Sequence, residues 1–222
     1  MSEDIKYIEI KTVNRKMKLM YGDKLTGTQK AIGLRSNGLH VVIRFTDRYG
    51  RISWHCTLAD GMGGCGFKMI GFSTAYQWST VRIAVTAEQE ARLFTKACEM
   101  ADVKFIKDAL DGYRTIKDLA IDHADSNPYY GPHHIKYDRW GASFAFISKW
   151  RLWRMHPERM ICNEAVAEVM LTEWPDLLIA DKYADRLPDL FLNKKDPATL
   201  TPDQFEYMVR HYFEINETRL QD

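Results

Sequence analysis

Two residues of types that do nucleophilic chemistry organise this chain. Cys162 opens the stretch Met160-Ile161-Cys162-Asn163-Glu164-Ala165-Val166-Ala167-Glu168-Val169-Met170, where Ile161, Ala165 and Val169, then Val166 and Met170, recur at the spacing of a buried helix face. Trp174-Pro175 closes the run. The spacing predicts a helix with the thiol in its first turn, at the positive end of the dipole. Such a position favours thiolate, and with a cation or histidine beside it a cysteine pKa falls from about 8.5 to roughly 3.5–7.5. The plainer reading is a core thiol, since free cysteine is among the most buried residue types. The residue that would favour chemistry is His55. In Arg51-Ile52-Ser53-Trp54-His55-Cys56-Thr57-Leu58 the apolar and polar residues alternate with the period of a half-buried strand, which sends His55 and Thr57 to one polar face. A strand that presents an imidazole beside a helix that presents a thiol suits acyl transfer, with Cys162 as nucleophile and His55 as base. Thr57 is the candidate orienter of the imidazole. A hydroxyl does this more weakly than a carboxylate, so Asp60 and Glu164 are alternatives. Backbone N–H groups of Cys162 and Asn163 are the candidate oxyanion hole.

The elements that must position these residues can be read in turn. Ile5, Tyr7, Ile8 and Ile10 suggest a short strand, and Asn14 to Met20 is basic and apolar by turns, read as a solvated face. His40 to Phe45 is a clearer strand. Asp47-Arg48-Tyr49-Gly50-Arg51 supplies turn chemistry, which predicts an antiparallel hairpin with the His55 strand. Asp60-Gly61-Met62-Gly63-Gly64-Cys65-Gly66 lacks both the P-loop ending and the G-x-G-x-x-G spacing, so it reads as a rim loop before a strand over 67–72. Cys65, in that loop, is the rival nucleophile. Thr80 to Val85 is a further strand, and Thr86-Ala87-Glu88-Gln89 is a capping box that opens a helix to about Phe105. Phe94, Cys98, Ala101 and Phe105 fall on one face of it, making Cys98 a core thiol. Cys56 is assigned by parity to the apolar face of its strand. Thr201-Pro202-Asp203-Gln204 starts a last helix with Phe205, Met208, Val209 and Tyr212 on one face.

Between these lie stretches with weaker signals. Residues 107–134 turn polar and read as a solvated loop, with a lid or specificity loop as the functional option. His123, His133 and His134 with Asp122 or Asp125 fit no standard zinc spacing, so no metal site and no cofactor is expected. The aromatic and basic run at 144–155 resembles a stacking platform for single strands, but suits a core element with snorkelling Arg stems better. A length of 222 residues with 45% hydrophobic content predicts one domain over 1–222. A net charge of +1 gives no global field for nucleic acid or anionic membrane. Four cysteines without a C-x-x-C pair, an acidic start at Met1-Ser2-Glu3-Asp4 and no long apolar run predict reduced thiols, no signal peptide, no membrane span and a cytoplasmic setting.

The polar strand of His55, Asp60-Gly61, Gly66-Phe67-Lys68-Met69-Ile70, Tyr137-Asp138 and Ile161-Cys162-Asn163-Glu164 follow one another in an order that resembles the circularly permuted branch of the NlpC/P60 papain-like superfamily. The resemblance spans about residues 40–205, relative to which 107–134 is an insertion. Thr57 stands where that family often has Glu, and Asn163 where it has Ser; Asn remains a competent helix-cap residue. The resemblance implies an α+β fold, a small antiparallel sheet packed against helices with a permuted papain-like core. It also implies a cysteine hydrolase of peptide, amide or acyl (thioester) substrates and a microbial or phage origin. The loss of Glu at Thr57 keeps an alternative open, a catalytically weak or inactive fold that binds or inhibits a protein partner.

Overall fold

In a computed structural model the described residues are 5–20, 22, 24–25, 27–33, 36–45, 52–57, 64–69, 78–100, 135–137, 159–178 and 200–219. Alternating apolar residues build the sheet: β1 (Ile5–Asn14), β2 (Gly38–Phe45), β3 (Ile52–Thr57), β4 (Gly64–Met69) and β5 (Trp78–Thr86), with two short strands, β6 (Lys136–Tyr137) and β7 (Arg159–Met160). Their order is β5-β1-β2-β3-β4-β6-β7. Every pair is antiparallel except β6 with β7, which is parallel. The helices are α1 (Arg15–Met20), α2 (Gly27–Gly33), α3 (Ala87–Met100), α4 (Cys162–Met170) and α5 (Pro202–Arg219). The fold is thus mixed, an antiparallel sheet with helices packed on it. Among the described residues no helix is long and apolar enough to cross a membrane.

One sheet face carries Ile8, Ile10, Val41, Ile43, Phe45, Trp54 and Cys65, and α3, α4 and α5 pack there through Leu93, Phe94, Ala165, Val166, Phe205 and Val209. Phe45 meets Phe94 edge to face at 5.2 Å between centroids. Tyr212 donates to Asp176 Oδ1 at 2.6 Å, and Trp174 packs edge-on against Phe213, which joins the turn after α4 to α5. Across the other face Arg82, Glu9, Arg44 and Ser53 stand opposite one another on four strands. Arg44 reaches Glu9 at 3.4 Å, and the Arg82 guanidinium lies 3.9 Å from the Tyr7 ring centroid.

The predicted capping box at Thr86 is present, and the predicted helix start at Thr201 carries one as well. Thr86 and Gln89 exchange bonds of 3.0 and 3.1 Å at the start of α3, and Thr201 and Gln204 of 2.9 and 3.2 Å at the start of α5. Several expectations need correction. β1 runs on to Asn14, beyond the short strand expected. β4 starts at Gly64, so Cys65 is not in a loop but fully buried in the core. Glycines at 64 and 66 weaken a strand, yet here they pair with Thr57 and His55, positions where a close neighbour suits a missing side chain. β3 is not half-buried at its centre, since Ser53 is as buried as Trp54. On α3 the buried positions are Glu90, Leu93, Phe94, Ala97 and Met100, which leaves Cys98 at the margin of the core. The predicted insertion at 107–134, its histidines and the run at 144–155 lie outside the described residues.

Candidate functional site

α4 begins where predicted. Its N-cap is Ile161, in extended conformation at φ −93° and ψ 166°. An Ile side chain accepts nothing, so the helix end is satisfied from the other direction: Glu164 Oε2 accepts from the Ile161 N–H at 3.4 Å. Asn163 is not the cap. It sits one position inside the helix after Cys162, buried, and its Nδ2 donates to the Leu200 carbonyl at 2.7 Å. That bond ties the start of α4 to the start of α5. Its Oδ1 faces the Cys162 thiol at 3.8 Å, where the S–H donates.

The sulfur also meets the sheet. The β2–β3 ladder pairs Phe45 with Ile52, Arg44 with Ser53 and Ile43 with Trp54, and among the described residues it ends there. β3 nevertheless continues through His55, Cys56 and Thr57, held by β4, while β2 continues back to Gly38, held by β1. The two strands part. Backbone hydrogen bonds at Val41, Asn163 and Cys162 itself favour the Cys162 thiolate. The sulfur thus meets the backbone of β2 at Val41, two residues from Ile43, where the β2–β3 ladder ends.

Burial works against the dipole. Cys162 is 2% exposed, and desolvation pushes its thiol up to about 11 against those backbone hydrogen bonds. The lowered pKa expected of a helix N-terminus is thus overturned. Depth in the core outweighs the field of the first turn, and the resting thiol is neutral.

The described residues include the backbone of His55 and Thr57 but not their side chains, and Asp60 lies outside them altogether. Extending the β2–β3 register would set His55 opposite Val42 and Thr57 opposite His40, so both strands bring a histidine position to the parting. His40 directly precedes Val41, whose backbone meets the sulfur. It is half-buried, packs edge-on with Trp78 at 6.4 Å between centroids, and its pKa is lowered to about 4 by burial first and by Lys18 second. Sequence reading treated His40 only as the start of a strand. Nothing in its local pattern marks it, because its place is set by where the ladder ends. The tether through Asn163 was missed for the same reason, its partner being the carbonyl of Leu200. Thr12, cross-strand from Val41, is a third omission: its hydroxyl is buried with no hydrogen-bond partner.

Comparison with family profiles, with curated proteins and with solved structures returns no match to this chain.

Proposed function

We propose that the chain is a cysteine-dependent hydrolase, an amidase, peptidase or thioesterase, built on a permuted papain-like (NlpC/P60) core, with Cys162 as nucleophile and His55 as base. The observation that supports this reading is the seat of the Cys162 sulfur: first turn of α4, with backbone hydrogen bonds from Val41, Asn163 and Cys162 itself favouring its thiolate. As the sulfur attacks a substrate carbonyl carbon, the imidazole takes the thiol proton and the carbonyl oxygen becomes an oxyanion facing the first-turn N–H groups. Collapse expels the leaving amine or thiol with the proton from the imidazolium. Water then cleaves the acyl-cysteine by the same relay. Because the resting thiol is neutral, proton removal belongs to the attack itself, as general-base catalysis.

A second reading, a binding or inhibitory module on the same fold, is favoured by the same thiol's depth, since a sulfur 2% exposed and raised to about 11 is unreactive as it stands. Intact-mass analysis after incubation with activated esters, thioesters and peptide amides separates the two. The hydrolase requires an acyl adduct on Cys162, absent in Cys162→Ala and slowed by about a hundredfold or more in His55→Ala. His40→Ala belongs in the set, because Val41 contacts the sulfur; a loss confined to that variant moves the base from β3 to β2. Thr57→Glu should speed acylation if residue 57 orients the imidazole. No adduct on Cys162 with any probe, or an adduct on Cys65, would leave the binding module as the better account.

A further inference from the structure

α1 is held to the rest of the chain along one side. Asn14 Oδ1 caps it by accepting from the Met17 N–H at 3.1 Å, and the Arg15 and Lys16 N–H groups donate to Asn37 O and Oδ1 at 2.6 and 3.1 Å. The Arg15 guanidinium donates to the Gly33 carbonyl, and Lys18 Nζ to Gln29 Oε1 at 3.3 Å. Gly22, at φ +80°, turns the chain away with its N–H on the Leu19 carbonyl at 3.0 Å. The helix is therefore fixed in orientation, and what it leaves outward is specific. Its exposed residues are Lys16, Leu19 and Met20, spaced i, i+3, i+4 on one face. Leu19 and Met20 are 49% and 66% exposed, and with Ile5 they are the exposed large apolar residues among those described. Along this stretch of the sequence the charge is one-sided. Residues 14–33 carry Arg15, Lys16, Lys18, Lys24 and Lys30 against Asp23 alone, in a chain whose net charge is +1. Lys24 and Lys30 are exposed as well.

We propose that this face is a docking surface for an anionic lipid bilayer, with Leu19 and Met20 entering the boundary between headgroups and acyl chains and the lysines lying on the acidic headgroups. Charge complementarity supplies the attraction, and exposed apolar side chains flanked in sequence by exposed lysines match the interfacial pattern. A nucleic acid would satisfy the lysines but offers Leu19 and Met20 nothing to enter. The exposed residues it uses, Lys16, Leu19, Met20, Lys24 and Lys30, are not among those placed at the Cys162 site, so it stands or falls independently of the hydrolase reading. The test is co-sedimentation of the full chain with phosphatidylcholine vesicles, with and without phosphatidylserine, across a salt series. Binding is expected on the anionic vesicles only, weakening with salt. Lys16→Glu, a change of two charges, should lower the partition coefficient by roughly thirtyfold. Leu19→Ser with Met20→Ser should also lower it while leaving the salt dependence in place. All three positions are exposed, so unchanged thermal midpoints will show the variants are folded. Failure to bind anionic vesicles, or binding that neither variant weakens, overturns the proposal. So does binding confined to a fluorescent DNA duplex and lost only with Lys16→Glu.

Discussion

Replacing Cys162 by Ala should change stability by an amount that reverses sign with pH. The thiol titrates near 9.0 when solvated and near 11 in the folded chain, where burial disfavours the charged form. As pH rises above the first value, the unfolded chain gives up its proton while the folded chain keeps it. Stability present at neutral pH is therefore lost through that window, about 1.4 kcal/mol by pH 10 and about 2 kcal/mol by pH 11. At pH 7 the variant loses the packing of one buried sulfur, about 1–2 kcal/mol. Cys162→Ala should thus be less stable than the parent at pH 7, equal to it near pH 10 by this arithmetic, and more stable above. Urea unfolding of both proteins at a series of pH values reads the difference directly, and other titrating groups cancel between them. A difference that stays flat from pH 8 to 11, or an alkylation profile for Cys162 with a midpoint below about 8.5, would refute burial as the dominant influence on this thiol.

His40 provides the acid-side counterpart. With its pKa lowered from 6.5 to about 4, the unfolded chain protonates first as pH falls, so stability is full above 6.5 and declines toward 4. His40→Leu should remove up to about 3 kcal/mol of that decline in acid-unfolding curves. Asn163→Leu leaves the Leu200 carbonyl without its buried donor and should cost about 1–3 kcal/mol in urea unfolding, with α4 and α5 loosening together in amide exchange. Gly38→Ala would bring a Cβ within 2.9 Å of the Asp203 backbone nitrogen and of Thr12 Cγ2, and should lower stability by about 1–3 kcal/mol, read as a fall in thermal midpoint.

What could be read from the sequence was what is decided locally. The capping boxes at Thr86 and Thr201, the helix start at Cys162 and the hairpin of β2 with β3 each depend on residues within a few positions of one another. Cys65 was misplaced because Gly63-Gly64 and Gly66 have the composition of a loop, and only the pairing of β4 with β3 makes them strand. Asn163 was read as a cap from its residue type, yet a cap is defined by backbone position, and the partner it binds lies 37 residues on. The thiol was misjudged for a related reason. A helix dipole can be inferred from one segment, whereas burial depends on the sheet and on α3 and α5, which are remote in the chain.

The titration of the site also decides which histidine can serve it. For a thiol near 11 and an imidazole near 4, forming the thiolate–imidazolium pair at rest would cost about 10 kcal/mol, seven pKa units, before any mutual attraction. An imidazole of ordinary basicity reduces that to about 6 kcal/mol, because its pKa is near 6.5. Neither figure permits a standing ion pair, so proton transfer must be coupled to attack on the carbonyl. The two bases then differ in where activity fails in acid. The kcat/KM profile reports the free enzyme's groups. If His40 is the base, activity should persist down to about pH 4, where its imidazole first protonates. If an imidazole of ordinary basicity is the base instead, the acid limb should begin near pH 6.5. A limb well above pH 4 that survives His40→Ala would place the base elsewhere than on β2, and a limb near 4 with activity lost in that variant would place it at His40.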